Sequence, residues 1–226
     1  MRLEINDYNG AADLIQGPCA QEWQDLRAVL GALPLHLKAS DQAGIQGRAI
    51  FDPIGTNFSI RSQLQGRGWT PNIPIPQRYR FLGTDIDLGK NGVIVEVQFS
   101  NYPFLLNNTL RSELFYKAGT EIASRKTALL LIITKGRMFP ASNSTLYYEQ
   151  AKNQLDALAG NGVFTMPIRL LGLVEQIAED SPAVWTEYEE PRYSRTVVNR
   201  SEIRCDIRRG RSADGRCTIT RRKPPA

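Results

Sequence analysis

Alternating apolar and polar positions near the middle of the chain predict a β-hairpin. Valine or phenylalanine occupies every odd position from 93 to 99, while Glu96, Gln98 and Ser100 occupy even positions. Successive side chains of a strand point to opposite faces, so one face is expected to pack on a core and the other to carry the polar groups. Asn91-Gly92 precedes this strand, and both residue types tolerate the positive φ of a tight turn. Residues 84–101 are therefore predicted to form two strands joined by a turn.

The rest of the chain shows helical and extended patterns in alternation. Helices are predicted at residues 15–33, 60–64, 109–118 and 144–159. Extended segments are predicted at residues 48–51, 71–76, 79–88, 127–134 and 163–175. The aliphatic run at 127–134 is typical of a strand buried on both faces of a sheet, and Asp52-Pro53 predicts a turn. This order predicts an α/β fold with a mixed central sheet flanked by helices.

Composition and charge indicate one substantial core with a basic extension. The 226 residues are 42% hydrophobic and 23% charged, which is typical of a globular protein. Of the 28 basic and 23 acidic residues, eleven bases and three acids lie in residues 192–226, leaving 17 bases and 20 acids in residues 1–191. Ten of those eleven bases are arginine, whose planar guanidinium suits phosphate and guanine edges. This charge predicts a nucleic-acid partner, and the alternative is a solubilising tail.

We divide the chain into a core at residues 1–178 and a basic, β-rich extension at residues 179–226 with a few small strands. The longest aliphatic run, residues 128–133, is too short to cross a bilayer. The first residues lack the apolar region of a secretory signal. These two features predict a cytoplasmic protein without a membrane partner.

Cysteine and histidine usage limits the chemistry that this chain can perform. Cys19, Cys205 and Cys217 cannot all pair, and their spacing does not suggest zinc. We expect reduced cysteines, with a Cys205–Cys217 disulfide as the alternative. The single His36 excludes any mechanism that needs two histidines, and we expect it to be a packed side chain.

The hairpin at 84–101 carries the polar groups most suggestive of chemistry. Asp85 and Asp87 are two residues apart on its first strand, and Glu96 and Gln98 are two apart on its second. Acidic groups that converge from neighbouring strands are suited to a hard divalent cation with oxygen ligands. A solvated outer face of an antiparallel sheet is the alternative, and the spacing alone favours that alternative.

Longer segments around this hairpin resemble a known family. The spacing Asp87-x8-Glu96-x-Gln98 is similar to the PD-(D/E)xK nuclease motif, with glutamine in the last place. The chain resembles the BglII-type family of type II restriction endonucleases in six segments, at residues 37–42, 51–57, 81–87, 95–108, 138–144 and 192–196. The likeness spans nearly the whole chain and weakens after about residue 197. It implies that residues 1–178 are a PD-(D/E)xK nuclease core and that residues 179–226 contact DNA.

The resemblance implies metal-assisted hydrolysis of DNA phosphodiesters. Asp87, Glu96 and the main-chain carbonyl of Val97 would hold Mg²⁺, with Mn²⁺ able to substitute, and Glu96 would orient the attacking water. Asn72 would lie beside the site, and Gln98 stands where most relatives have lysine. Glutamine aligns a water by hydrogen bonding but is neither a base nor a cation, so proton removal is left to the metal, to Glu96 or to the substrate phosphate. Only the resemblance selects Asp87 over Asp85.

The resemblance also implies a DNA target and an assembly. The residues that would read bases are Ser100, Asn101, Asn143, Ser144, Tyr193 and Arg195. The implied target is a GATC-centred palindrome, AGATCT, cut to leave 5′-phosphate overhangs. A palindrome implies a C2 homodimer, with helices 109–118 and 144–159 expected at the interface. Packing of those helices within one subunit, and capping of the second by residues 142–144, are the alternatives.

Two further functions stay open at this point. A sequence-specific DNA-binding protein that has lost catalysis is disfavoured by the intact Asp87 and Glu96 but kept open by Gln98. A repair nuclease that reads DNA shape would give smeared rather than discrete products. An active restriction enzyme in a bacterium would instead require a cognate DNA methyltransferase encoded nearby, because the enzyme threatens its own genome.

Overall fold

The computed structural model describes residues 1–136, 139, 146–174, 176–190, 194–210 and 216–222. The α-helices are α1 (Ala11–Gln16), α2 (Ala20–Ala32), α3 (Pro53–Gln65), α4 (Tyr102–Lys117) and α5 (Tyr148–Gly160). The first strands are β1 (Arg2–Tyr8), β2 (Leu35–Ala39), β3 (Ala49–Phe51), β4 (Thr70–Pro74), β5 (Asp85–Lys90) and β6 (Val93–Val97). The later strands are β7 (Glu121–Ile122), β8 (Arg125–Lys126), β9 (Leu129–Lys135), β10 (Ile168–Val174), β11 (Ala178–Tyr188), β12 (Val197–Arg209) and β13 (Cys217–Arg221).

A six-stranded mixed sheet forms the centre of the molecule, in the order β1-β10-β9-β6-β5-β4. Strands β10, β9 and β6 run parallel to one another, whereas β1 pairs antiparallel with β10, β5 with β6, and β4 with β5. The mixed α/β architecture predicted from the sequence is confirmed. Strand β9 lies in the middle of this sheet and is buried at every residue, as expected for its aliphatic run Leu129–Ile133.

Both faces of the central sheet are buried, each in its own hydrophobic cluster. Val93, Val95 and Val97 face one cluster, which also includes residues of α1, α2 and α3. Ile94 faces the other cluster, which includes residues of α4 and α5. The solvated outer face considered for this hairpin is therefore wrong, since every residue of β6 is buried.

The second sheet joins the two ends of the chain, in the order β13-β12-β11-β2-β3. Strand β2 pairs with β11 in parallel, so residues 35–51 and the C-terminal residues share one sheet. The expectation of a few small strands is wrong, because β11 has 11 residues and β12 has 13. Their buried alternate positions, including Cys205 and Ile207, pack on the first cluster.

The predicted helix at residues 15–33 is two helices rather than one. Helix α1 ends at Gln16 and α2 begins at Ala20, with Gly17 and Pro18 between them. Pro18 cannot continue a helix that began before it, because its ring clashes with the preceding turn. The amphipathic pattern of residues 15–33 is reflected in the burial of Leu26, Leu30 and Leu33.

Three other element boundaries differ from the predictions for local reasons. Asp52-Pro53 is the start of α3 rather than a turn, because the Asp52 carboxylate accepts a hydrogen bond from the Ile54 N–H at 3.1 Å. A 3-10 helix at Gln77–Leu82 replaces the first part of the strand predicted at 79–88. Helix α4 begins at Tyr102, well before residue 109, with Pro103 in its first turn, where a missing N–H costs nothing.

Helix α5 begins at Tyr148 with Tyr147 at its N-cap, later than the predicted residue 144. Ser142, Asn143 and Ser144, considered as caps, lie outside the described residues. All three cysteines are free and buried, so the alternative disulfide is wrong. His36 is buried, as expected for a packed side chain. Within the described ranges, no helix combines the length and apolarity that a membrane span needs.

Candidate active site on the central hairpin

Strands β5 and β6 bring the acidic groups of the hairpin together. Asn91 and Gly92 form its turn with φ of 50° and 82°, and a Cβ on Gly92 would lie 2.2 Å from the Lys126 carbonyl oxygen. The register pairs Leu88 with Val95, so Asp87 and Glu96 come next to each other where the two strands diverge. The Val97 N–H donates to Asp87 Oδ2 at 2.8 Å, which fixes the Asp87 carboxylate against β6.

Glu96 is a buried carboxylate held by two residues of α4. Arg111 Nη2 lies 2.5 Å from Glu96 Oε1, and Asn108 Nδ2 donates to Glu96 Oε2 at 3.0 Å. Burial raises the pKa of Glu96 to about 8, although Arg111 lowers it, and the Asp87 charge raises it further. Arg111 also donates to the Leu82 carbonyl at 3.4 Å, so its guanidinium is fixed on two sides.

Asp87 is half-buried and faces a cation from another element. Arg61 on α3 lies 3.3 Å from Asp87 Oδ1 and also hydrogen-bonds Asn72 Oδ1. Burial raises the pKa of Asp87, whereas the Val97 N–H and Arg61 lower it. Asn72 is exposed on β4 with a φ of 49°, a left-handed conformation that asparagine tolerates. The structure thus places Asn72 beside Asp87 through Arg61.

Asp85 and Asp87 differ in position, which the sequence alone did not reveal. Asp85 is exposed at the start of β5 and accepts a hydrogen bond from the Thr84 hydroxyl at 3.0 Å. Asp87 is the one whose carboxylate is bonded to β6. The Asp85 charge still contributes to the raised pKa of both Asp87 and Glu96.

Gln98 continues β6 beyond the last residue that pairs with β5. Its main-chain N–H donates to the Ile133 carbonyl at 2.8 Å, which holds it against β9, and the residue is buried. Alternation along the strand sets its side chain on the face of Glu96. Its side chain is therefore set just past the end of β6, on the same face as the Glu96 carboxylate.

The residues expected to read DNA are only partly within the described structure. Ser100 and Asn101 are exposed and follow β6 directly, with Asn101 at the N-cap of α4. The Leu146 N–H donates to the Ser100 carbonyl at 3.1 Å. Arg195 is exposed between β11 and β12. Asn143, Ser144 and Tyr193 lie outside the described residues.

Several contacts of this site were missed by sequence reasoning. Asn108 fell before the helix predicted at 109–118, and Arg111 showed no link to Glu96, which lies 15 residues earlier. Arg61 was inside a predicted helix, but nothing in the sequence joined it to Asp87, 26 residues later. An earlier start for α4 would have placed Asn108 and Arg111 on one helical face, three residues apart.

The donors at this site suit a divalent cation that keeps several waters. No group of three or more His, Cys, Asp or Glu side chains within the described ranges could hold a metal. Asp87, Glu96 and the Val97 carbonyl offer two carboxylates and one main-chain oxygen, a set typical of Mg²⁺. The two carboxylates have raised pKa values, so a positive ion between them would stabilise their charged forms. The residues present therefore fit a hard divalent cation.

Comparisons with known proteins show what the whole chain is similar to. The family model for restriction endonuclease BglII/BglIII matches residues 3–173. Type II restriction enzyme BglII of Bacillus subtilis is 51% identical over 223 residues, covering 99% of this chain and 96% of that protein. The crystal structure of restriction endonuclease BglII complexed with a DNA 16-mer has a TM-score of 0.93 at 49% identity, covering 98% of this chain and 100% of that one. Free BglII has a TM-score of 0.75 at 47% identity with the same coverage.

Proposed function

Because this chain belongs to the BglII/BglIII family of restriction endonucleases, we propose that it cuts both strands of duplex DNA at the palindrome AGATCT and leaves 5′-phosphate overhangs. The family uses divalent metal ions, and we propose Mg²⁺ here, with Mn²⁺ able to substitute. The observation that carries the proposal is the bond from the Val97 N–H to Asp87 Oδ2 beside the buried Glu96. That bond holds the Asp87 carboxylate against the strand that carries Glu96, a few residues before Ser100 and Asn101.

In this proposal Asp87, Glu96 and the Val97 carbonyl hold the divalent cation. The cation, when bound, supplies a Lewis acid that lowers the pKa of water and neutralises charge on the phosphate. Glu96 then orients the attacking water, because Arg111 and Asn108 hold its carboxylate in one position. The buried surroundings strengthen each of these electrostatic contacts.

We propose that Gln98 aligns the attacking water through its side-chain amide. An amide both donates and accepts hydrogen bonds but carries no charge and takes no proton at neutral pH. Its position directly after β6, on the face of Glu96, supports this assignment. Asn72 completes the site on the side of Asp87, where its Oδ1 accepts a hydrogen bond from Arg61.

We assign base reading to two groups of residues. Ser100 and Asn101 extend from the catalytic strand, so that cutting and reading are covalently continuous. Asn143, Ser144, Tyr193 and Arg195 complete the set. Asparagine can bond adenine N6 and N7, and arginine can bond guanine O6 and N7, in the major groove. The extension at residues 179–226 would supply the basic part of this surface, next to a nuclease core at residues 1–178.

A palindromic target implies a C2 homodimer in which each subunit reads one half-site. Helix α4 supports this, because it presents Phe104 and Leu110 to solvent at 52% and 53% exposure. Phe81, in the 3-10 helix before the hairpin, is 79% exposed. We propose that α4 and α5 form the dimer interface and that the enzyme works in a bacterial cytoplasm beside a cognate DNA methyltransferase.

Plasmid digestion tests this function. Purified protein with Mg²⁺ should give discrete fragments, and sequencing their ends should show cleavage within AGATCT. Asp87→Asn should lower the cleavage rate at least about 1,000-fold, since it removes a charged metal ligand, while binding of the same DNA in Ca²⁺ is retained. Binding without cleavage in the unaltered protein would indicate a lapsed enzyme, and smeared products would indicate a nuclease that reads shape.

A further inference from the structure

Arg61 and a divalent cation would compete for the same oxygen of Asp87. Asp87 Oδ2 is already bonded to the Val97 N–H at 2.8 Å. Arg61 Nη2 lies 3.3 Å from Asp87 Oδ1 and 3.5 Å from the Asp87 carbonyl. A cation that binds Asp87 Oδ1 therefore meets a guanidinium of the same sign at short range, and the two repel.

The charges around the site show which guanidinium is released. Arg111 is bonded to Glu96 and to the Leu82 carbonyl, and its side chain is only 5% exposed. Arg61 is 28% exposed, and Asp87 is its carboxylate partner among the described ion pairs. Arg61 Nε is buried without a hydrogen-bond partner in the described structure, as is Arg111 Nε, so exposure rather than donor capacity distinguishes the two guanidiniums.

The exposed side of α3 that carries Arg61 is suited to binding a polyanion such as DNA. Phe58 lies one turn before Arg61 on α3 and is 59% exposed. Arg200 of β12 lies 5.3 Å from the centre of the Phe58 ring, and Phe58 and Arg61, three residues apart on α3, share one helical face. Arginines beside an exposed aromatic ring are a combination found on nucleic-acid-binding surfaces.

We propose that Arg61 is a phosphate-binding residue of this active site whose guanidinium is released by the divalent cation. Without the cation it holds Asp87 Oδ1, and with the cation bound it turns to a phosphate oxygen of the DNA strand being cut. Gln98 is neutral, so Arg61 supplies the mobile positive charge beside Asp87 that Gln98 does not. This inference rests on the proposed function.

The substitution Arg61→Gln tests the release directly, without DNA or turnover. Mn²⁺ affinity, measured by calorimetry on the full protein, should rise about threefold to tenfold, because a competing cation is removed. Arg67→Gln is the matched control, since Arg67 lies just beyond α3, is exposed and faces Asp25 rather than Asp87. Unchanged or weaker Mn²⁺ binding in Arg61→Gln, relative to Arg67→Gln, would overturn the release.

The phosphate contact is tested by DNA binding in Ca²⁺ and by cleavage. A plot of the logarithm of the DNA-binding constant against the logarithm of salt concentration should be less steep for Arg61→Gln, by about one unit of slope. That change corresponds to the loss of a single phosphate contact. The cleavage rate of Arg61→Gln should fall about 10-fold to 100-fold with Mg²⁺ in excess. A salt slope and rate equal to those of Arg67→Gln would refute the contact, whereas failure of the unaltered protein to cut any DNA would refute the proposed function instead.

Arg61→Lys keeps the experiment decisive if Arg61→Gln does not fold. Lysine preserves the charge but not the fork of donors, so it should retain the competition with Mn²⁺ and lose part of the phosphate contact. Mn²⁺ affinity equal to that of the unaltered protein, with a weaker rate of cleavage, is the expected result. Tighter Mn²⁺ binding in Arg61→Lys would contradict competition by charge.

Discussion

At the residue scale, the central feature is a set of buried charged groups whose partners come from distant elements. Glu96 on β6 is paired with Arg111 on α4, and both side chains are almost wholly buried. Removing one partner of such a pair leaves an uncompensated charge, which typically destabilises a protein by about 3–5 kcal/mol. A lone Glu96 would avoid part of that penalty by taking up a proton, since its pKa is already raised to about 8.

Lys135 is a second buried charged residue, on the neighbouring strand β9. Its ammonium donates to the Phe99 carbonyl at 2.7 Å and to the Leu146 carbonyl at 3.2 Å. It therefore ties the end of the catalytic strand to the segment that leads into α5. It also lies 4.8 Å from the centre of the Tyr147 ring, an attraction between a cation and an aromatic face. Residues proposed to read bases are adjacent in sequence to these contacts: Ser100 and Asn101 follow Phe99, and Asn143 and Ser144 precede Leu146.

The buried Lys135 predicts a rise in stability with pH. Burial lowers the pKa of Lys135 to about 7, from an ordinary value of 10.5 in the unfolded chain. Between those values the unfolded state binds more protons, so the free energy of unfolding increases as pH rises, by up to about 1.4 kcal/mol per unit. The difference in unfolding free energy between the unaltered protein and Lys135→Met should grow from pH 7 to pH 9.

Urea denaturation at three pH values measures this difference. Lys126→Met, at an exposed lysine of β8, controls for the loss of one positive charge. A difference between the unaltered protein and Lys135→Met that stays constant over the range would show that the Lys135 ammonium keeps its proton in the folded state.

At the element scale, the hairpin turn determines whether Asp87 meets Glu96. Asn91 and Gly92 both have positive φ, the geometry of a tight turn whose twist matches the flanking strands. The backbone around the β7–β8 hairpin packs directly on this turn. The Gly92 N–H donates to the Ile122 carbonyl of β7 at 3.0 Å, and the Ala128 N–H, just after β8, donates to the Gly92 carbonyl at 2.9 Å. The turn thus fixes the register of the two catalytic strands.

Gly92→Ala should destabilise the protein by about 2 kcal/mol or more, because a left-handed φ is strained for alanine and its Cβ would meet the Lys126 carbonyl. Thermal or urea denaturation measures the change. Gly160→Ala at the end of α5 is the control, since its Cβ would have no heavy atom within 4 Å. Equal stability of the two variants would mean that the turn backbone can shift away from β8.

At the scale of the whole molecule, the two sheets bring together segments far apart in the chain. The second sheet pairs β2 with β11, whose partner residues lie 148 positions later in the chain, as Ala183 does for Leu35. Some of the C-terminal arginines form ion pairs on the surface of this sheet, Arg204 with Asp180 and Arg222 with Asp206. Such surface ion pairs are weak in salt solution, so these arginines could exchange their partners for another anion, as the proposed contact with DNA requires.

The proposed dimer gives a prediction at the same scale. Leu110→Asp should place a charge on the exposed face of α4 and shift the protein to a monomer, because a buried unpaired carboxylate is costly at an interface. Sedimentation velocity measures the mass, and supercoiled plasmid distinguishes single-strand from double-strand cleavage. Ile5→Asp is the control, since Ile5 is exposed on β1, away from α4. Dimers in both variants would exclude Leu110 from the interface.

The sequence by itself determined the hairpin, the aliphatic central strands and the α/β class, because these depend on local periodicity and turn chemistry. It also supplied the family, since the resemblance runs through contiguous strings such as residues 95–108. The predicted element boundaries were wrong where a single residue decides the end of a helix. Asp52 caps the start of α3, and Pro18 separates α1 from α2.

Only the tertiary structure decided which residues meet. It separated Asp87 from Asp85, showed that β6 is buried on both faces, and joined Glu96 to Arg111 and Asp87 to Arg61. Those contacts depend on how α3 and α4 pack on the hairpin, and packing between distant elements leaves no periodic signal in one sequence. The acidic residues of the hairpin could be recognised from the sequence. The arginines that pair with them, Arg61 and Arg111, lie on helices α3 and α4, outside the hairpin.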